Sequence, residues 1–350
     1  MKYPPSDLPL AAEIDGLAVD LDAPVELVTV DIPKPWGREI WYTGIEARGE
    51  SAVRTSRGDL PISRYLALAP ERLVRNKPLV LLKILDPRPE PVLGDLYFEV
   101  HREKQEVYVV THVDRSAWPD GVGRMRFGMD PALRACYADD AAFRRDYLQA
   151  VANYERLRCR IDAGEVIPDT EEQAARAAME RFTALRSLVV GDVVAVPTWL
   201  PHSLQHGVRV VEFQTPTYER YIISFARKVL TQDRWDSALA VPRMTLDAPP
   251  APDFETLAPG VERIVGFDDF RVWRVRLAPG QHFDLPAHPA YALCMTVAGV
   301  VTLGRLTLEA EHAALVPGAT LADSARRRAL APVHNPGPEP AVLLIAAPDL

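Results

Sequence analysis

Cysteine is scarce in this chain, and long apolar runs and a basic excess are missing. Three cysteines in 350 residues, Cys136, Cys159 and Cys294, lie far apart and are odd in number. They exclude a disulfide frame or a cysteine zinc cluster and read as reduced thiols of a cytoplasmic protein. No apolar stretch approaches the roughly 20 residues that span a bilayer. Met1 to Asp22 is acidic and broken by proline, so neither a signal peptide nor a membrane anchor is expected. The net charge of −8, with no basic stripe carrying interleaved aromatics, argues against a nucleic-acid partner. An anionic small substrate would need a local cluster of Arg and Lys. Oligomeric state is left open.

What is present suits a soluble globular protein: 48% apolar and 25% charged residues, over a length that can hold two domains. The chain is organised around one stretch, Gly94-Asp-Leu-Tyr-Phe-Glu99-Val-His101-Arg-Glu-Lys-Gln-Glu106. Read as a strand, it turns Tyr97, Glu99 and His101 to one face and Leu96, Phe98 and Val100 to the other. Arg102 to Gln105 are polar and suit a short hairpin loop, after which Glu106 opens a second strand facing Glu99 and His101. Two carboxylates and an imidazole on one face are costly to bury unless a cation sits between them, and a divalent metal would satisfy all three.

Nearly a hundred residues later, Gly191-Asp-Val-Val-Ala-Val-Pro197-Thr-Trp199-Leu-Pro-His202-Ser-Leu-Gln-His206 is a turn, a short strand, a proline-bounded bend and a histidine. The two stretches resemble the two motifs of the cupin family. The first is His-x-His-x4-Glu with Glu99 in place of the first histidine. The second is a glycine, five residues, a proline, a bend and a histidine, with Trp199 where the family usually has glycine. His206 is the reserve ligand, since 202, 204 and 206 share a face of an extended segment.

Between the two stretches the texture changes. Leu133, Phe143, Tyr147, Val151, Tyr154 and Leu157 recur at three- and four-residue spacings, so Asp130 to about Ala163 and Thr170 to Leu188 read as helical. Thr170-x-x-Gln173 resembles a capping box. Residues 241–258 hold four prolines among small residues and read as a linker. Beyond them, short strand-like runs from Phe270 to Ala346 suggest a jelly roll. His282 and His288 there read as ordinary surface or loop histidines.

Further segments resemble type I mannose-6-phosphate isomerases in the same order: Lys34-Pro-Trp36-Gly37, Lys83-Ile-Leu-Asp86, Glu99-Val-His101, Glu106-Val-Tyr108, Gly191 to Leu204, and Glu212-Phe-Gln214 leading to Arg220. The resemblance spans about residues 31–230. It implies a mainly β fold of two cupin (jelly-roll) barrels. Residues 1–240 would form the metal-binding barrel, with a helical insertion at about 130–188. Residues 259–350 would form a second, metal-free barrel. It further implies one divalent metal held by Glu99, His101, Glu106 and His202, zinc first and manganese or iron as alternatives. Arg220 would be a catalytic cation and Lys83 a phosphate contact or proton-transfer group. The implied reaction moves a proton between adjacent carbons of a phosphorylated sugar, from mannose 6-phosphate to fructose 6-phosphate. Glu99 departs from the family's neutral glutamine and would lower the charge of the metal site. A cupin enzyme of another class, an epimerase or an iron-dependent oxygenase, and a sugar-binding or regulatory protein without turnover remain as alternatives.

Overall fold

The computed structural model describes residues 11–14, 17–56, 58–288 and 290–349. The expectation for Met1 to Asp22 therefore lies largely outside the described residues. The chain is mainly β, in antiparallel sheets consistent with a cupin-like fold. No helix among the described residues is long and apolar enough to cross a membrane.

Two compact units form. A central unit holds Pro33–Glu39 and Ile84–Pro252; a terminal unit holds the described residues up to Ile32, Ile40–Lys83 and those from Asp253 onward. This differs from the boundary read in the sequence, which kept residues 1–240 together. The reason is a non-local pairing within the terminal unit: Val25–Val28 joins both Ala52–Thr55 and Ala313–Pro317. The expected linker is also more than a tether, since Val241, Met244 and Leu246 are buried in the core of the central unit.

Eight strands and two helices of the central unit frame the site. The strands are β1 (Phe98–Val100), β2 (Glu106–Val113), β3 (Gly123–Met129), β4 (Thr183–Leu188), β5 (Val193–Val196), β6 (His202–Leu204), β7 (Val208–Gln214) and β8 (Tyr221–Ser224). One sheet contains the order β5-β2-β7, and a second runs β4-β3-β6-β1-β8. Here the hairpin reading fails. β1 and β2 lie in different sheets, so Arg102 to Gln105 carries the chain from one sheet to the other. That crossing is pinned by main-chain hydrogen bonds, since the Glu219 carboxylate accepts from the amides of Arg102 and Glu103, and Thr215 Oγ1 from that of Gln105.

Helix α1 (Asp140–Asp162) begins at Asp139, whose side chain accepts from the Ala142 amide, and buries Phe143, Tyr147, Val151, Tyr154 and Leu157 as their spacing predicts. The first four pack with Phe98 and Val100 of β1, which leaves Glu99 and His101 to the opposite face. Helix α2 spans Asp169–Glu180 with Pro168 at its N-cap and no side-chain cap, so Thr170 lies inside the first turn and the capping box does not form. The helical reading of 183–188 is likewise replaced: Thr183–Leu188 is β4, paired with β3 over Arg126–Leu185 and its neighbours. Non-local pairing overrides the helix-forming composition of Ala, Leu and Arg there.

In the terminal unit, β9 (Phe270–Leu277), β10 (Tyr291–Ala298), β11 (Ala313–Pro317) and β12 (Ala341–Pro348) adjoin in the order β9-β12-β10-β11. Val275, Ala292, Cys294, Leu343 and Ile345 lie in one apolar core.

Candidate metal centre

Pairing across the second sheet sets Glu99 of β1 directly opposite His202 of β6. His101 follows two positions on, with its carbonyl accepting from the Trp199 amide at 2.7 Å. The bend before β6 explains a departure noted in the sequence. Trp199 adopts φ 61°, the left-handed region in which glycine is at ease, so the backbone keeps a glycine-like bend despite the bulky side chain. Its ring stacks on Tyr221, centroids 6.0 Å apart. Gly191, at φ 94°, makes the turn into β5 by exchange of main-chain hydrogen bonds between Gly191, Asp192 and Val110.

Glu99, His101 and His202 each aim a ligand atom into one space, all within 4.8 Å of one another. Glu106, from the other sheet, adjoins both histidines. His101 Nε2 lies 3.5 Å from Glu106 Oε1 and 3.6 Å from Glu99 Oε1, and His202 Nε2 lies 3.1 Å from Glu106 Oε2. Two ligands sharing one ion at bonds of about 2.0–2.2 Å in a tetrahedral arrangement are about 3.3–3.6 Å apart. The two His101 distances are of that length. His101 Nδ1 and Nε2 and Glu99 Oε2 are buried without a hydrogen bond among the described residues. Buried polar atoms left this way cost about 1–3 kcal/mol each, a deficit that an ion would relieve. The donor set fits a divalent metal.

Around it the electrostatics are tightly wound. Burial alone would raise the Glu106 carboxyl, but the Lys104 ammonium and the two imidazoles outweigh it and hold the group well below the usual carboxylate range. Tyr108 donates its hydroxyl to Glu106 Oε2 at 2.7 Å, and burial followed by that carboxylate pushes the phenol well up. Burial, followed by Lys104, lowers His101 despite its carboxylate neighbours, which favours the neutral imidazole a metal needs. Burial also lowers His202, but the hydrogen bond to Glu106, the charges of Glu106 and Glu99 and the Leu200 carbonyl together more than offset it, and the net shift is upward. His202 Nδ1 lies 2.9 Å from the Leu200 carbonyl, a contact that orients the ring with Nε2 toward Glu106.

The other expected residues separate. Arg220 is half-buried, its guanidinium 4.4 Å above the Tyr97 ring and donating to Thr231 Oγ1 at 3.0 Å. Tyr97 feels both Arg220 and Glu99, which sets Arg220 in the electrical neighbourhood of the ligand group. Lys83 belongs to the terminal unit. His206 stays outside the ligand group: Asp95 Oδ1 lies 2.6 Å from its Nδ1, and its ring stacks on Trp118 with centroids 4.7 Å apart. His288 is half-buried, and His282 stacks on His334. The residue that sequence reading missed is Lys104, buried, with its ammonium on Glu106 Oε1. It sat in a stretch read as a loop; the signal was its place two positions before Glu106.

No protein-family model and no curated protein sequence matches this chain. Solved structures do. The mannose 6-phosphate isomerase of Bacillus subtilis matches at 14% identity and TM-score 0.63, over 93% of this chain and 99% of that one. The R274A mutant of phosphomannose isomerase from Salmonella typhimurium matches at 12% identity and TM-score 0.66, over 92% and 99%. A zinc-bound mannose 6-phosphate isomerase gives 12% and 0.65 over the same shares. The chain thus resembles the type I phosphomannose isomerases, which are cupin-fold proteins, and at these identities the likeness is one of fold.

Proposed function

We propose that the chain is a metal-dependent sugar-phosphate isomerase that interconverts mannose 6-phosphate and fructose 6-phosphate. The single observation that carries this reading is the convergence of Glu99, His101, Glu106 and His202 from two facing sheets, in a fold shared with isomerases of that class. In this reading each unit is a cupin barrel, with α1 and α2 a helical insertion in the metal-binding one. Those four residues would hold one divalent ion, zinc by analogy with a zinc-bound fold relative. When bound, the ion would offset negative charge developing on the substrate oxygens. The chain's own groups supply the rest. Arg220, held over Tyr97, offers a fixed cation to an anionic sugar. Burial of Tyr108 and His101 excludes water from the ligand face. Tyr108 and Lys104 keep Glu106 ionised and oriented.

A second reading rests on a specific feature of the ligand group. Glu99, His101 and His202 are two histidines and one carboxylate, the donor set of many non-haem iron oxygenases. One assay separates the two: fructose 6-phosphate formation from mannose 6-phosphate, coupled to a reporter enzyme, with zinc or ferrous iron supplied. Turnover that disappears with a chelator and in Arg220→Ala supports the isomerase. No turnover with either metal ends that reading.

A further inference from the structure

Four short strands of the terminal unit, His282–Phe283, Val333–His334, Val301–Leu303 and Leu306–Leu308, lie side by side in that order. Strand alternation sorts their side chains into two rows. Phe283, Val333 and Leu303 are directly opposite one another and pack in the apolar cluster of that unit. The neighbouring row is His282, His334 and Thr302, again directly opposite one another, and it is exposed or half-buried. The two imidazoles stack, with ring centroids 4.3 Å apart and planes 21° from parallel. Main-chain bonds lock the register beside them: the Asn335 amide donates to the Gln281 carbonyl at 3.0 Å, and the Gly280 amide to the Asn335 carbonyl at 2.9 Å. The fully buried Asn335 side chain adds bonds to the carbonyls of Leu277 and Glu339.

We propose that His282 and His334 together chelate one transition-metal ion, a second metal site in the unit that the family resemblance implies to be metal-free. The site takes ions that favour imidazole nitrogen, copper, nickel or zinc, over oxygen-preferring manganese, with water completing the coordination. Two nitrogens bound to one ion at about 2.0–2.1 Å are about 2.9–3.4 Å apart. Rings already stacked at 4.3 Å reach that separation by small rotations about the broad histidine χ2 torsion. Because the register is fixed before binding, the second imidazole meets the ion intramolecularly, which a lone surface histidine cannot offer. Carboxylates ion-pair with His206 and His312; among the described residues none does so with His282 or His334. The bound ion ties the strand His282–Phe283 to Val333–His334 and so stabilises the terminal unit, whether or not the central unit holds a metal.

The test uses the full chain carrying His101→Ala with His202→Ala to remove the central ligand group, stripped of metal and titrated calorimetrically with nickel(II). About one equivalent binds. Adding His282→Ala or His334→Ala weakens that binding about tenfold or more, while His312→Ala, which removes another exposed histidine, leaves it unchanged. Nickel also raises the thermal unfolding midpoint of this protein and not of its His282→Ala form. Manganese(II) binds at least about tenfold more weakly than nickel. No nickel bound, or nickel affinity that survives both substitutions or falls as far with His312→Ala, overturns the chelating pair. Manganese bound as tightly as nickel overturns coordination by imidazole. If the central double substitution does not fold, wild type is compared with His282→Ala: wild type binds one nickel equivalent more, and equal counts overturn the proposal.

Discussion

β2 of the central unit and β10 of the terminal unit are both eight-residue strands held between two antiparallel neighbours, yet they face opposite kinds of interior. On β2, Tyr108 lies across from Glu212 and Glu106 from Gln214 of β7. On β10, Cys294 lies across from Ile345 of β12 in an apolar cluster. The same sheet geometry thus carries a polar, charged cluster in one unit and an uncharged, mainly apolar one in the other. The difference teaches that the alternating side chains make the site, while the sheet only presents them. It also separates two ways of being stable. Apolar burial contributes about 25 cal/mol per Å² with no directional demand. A buried carboxylate contributes only when its partners are in place, which for Glu106 means Lys104, Tyr108 and His202.

The sharpest way to break the comparison is to put a carboxylate into the apolar cluster of the terminal unit. Cys294 is fully buried, and burial alone pushes its thiol up to about 12. Cys294→Glu should therefore cost about 3–5 kcal/mol in chemical denaturation, or prevent folding. A cost below about 1 kcal/mol would mean that the terminal interior tolerates charge as the central one does.

A smaller effect is expected from acid. The Glu106 carboxyl is held below its ordinary value of 4.5, so it contributes stability that is complete above that value and lost as pH falls through the depressed pKa. Lys104→Met removes the largest of the groups lowering it. Chelator-stripped variant should lose about 1–3 kcal/mol near neutral pH and show a shallower decline between pH 4.5 and the acid limit than wild type. Parallel declines would argue that Glu106 does not depend on Lys104.

Smallest of all is the backbone effect at the bend that presents His202. Trp199→Ala and Trp199→Gly both lose the stack on Tyr221, but only alanine keeps a side chain in the left-handed conformation. Glycine should be the more stable of the two by about 1 kcal/mol in denaturant titration. Equal stability would mean that the bend relaxes once the indole is gone.

Much of the ligand group was legible because histidine and glutamate at fixed offsets from Gly94 and Gly191 are local signals. Face alternation on β1 correctly set Glu99 and His101 together, and the spacing of Phe143, Tyr147, Val151 and Tyr154 correctly announced a helix. What escaped depended on partners distant in sequence. The Glu99–His202 register and the placing of β1 and β2 in separate sheets cannot be read from residues 94–110 alone. Thr183–Leu188 has helix-forming composition and became a strand because β3 lies beside it. His206 carried the right chemistry, but Asp95, 111 residues earlier in the chain, took its ring nitrogen. Lys104 was visible as a residue and invisible as a charge, since its burial is a property of the assembled interior.

The central claim is that the polar interior of the central unit exists to hold one divalent ion. Zinc titration of chelator-stripped protein, followed by elemental analysis after desalting, tests it directly. The account predicts one equivalent of metal retained by wild type and none by His101→Ala with His202→Ala, in protein that circular dichroism shows to be folded. No stoichiometric metal in wild type, or equal metal in the double variant, would contradict it.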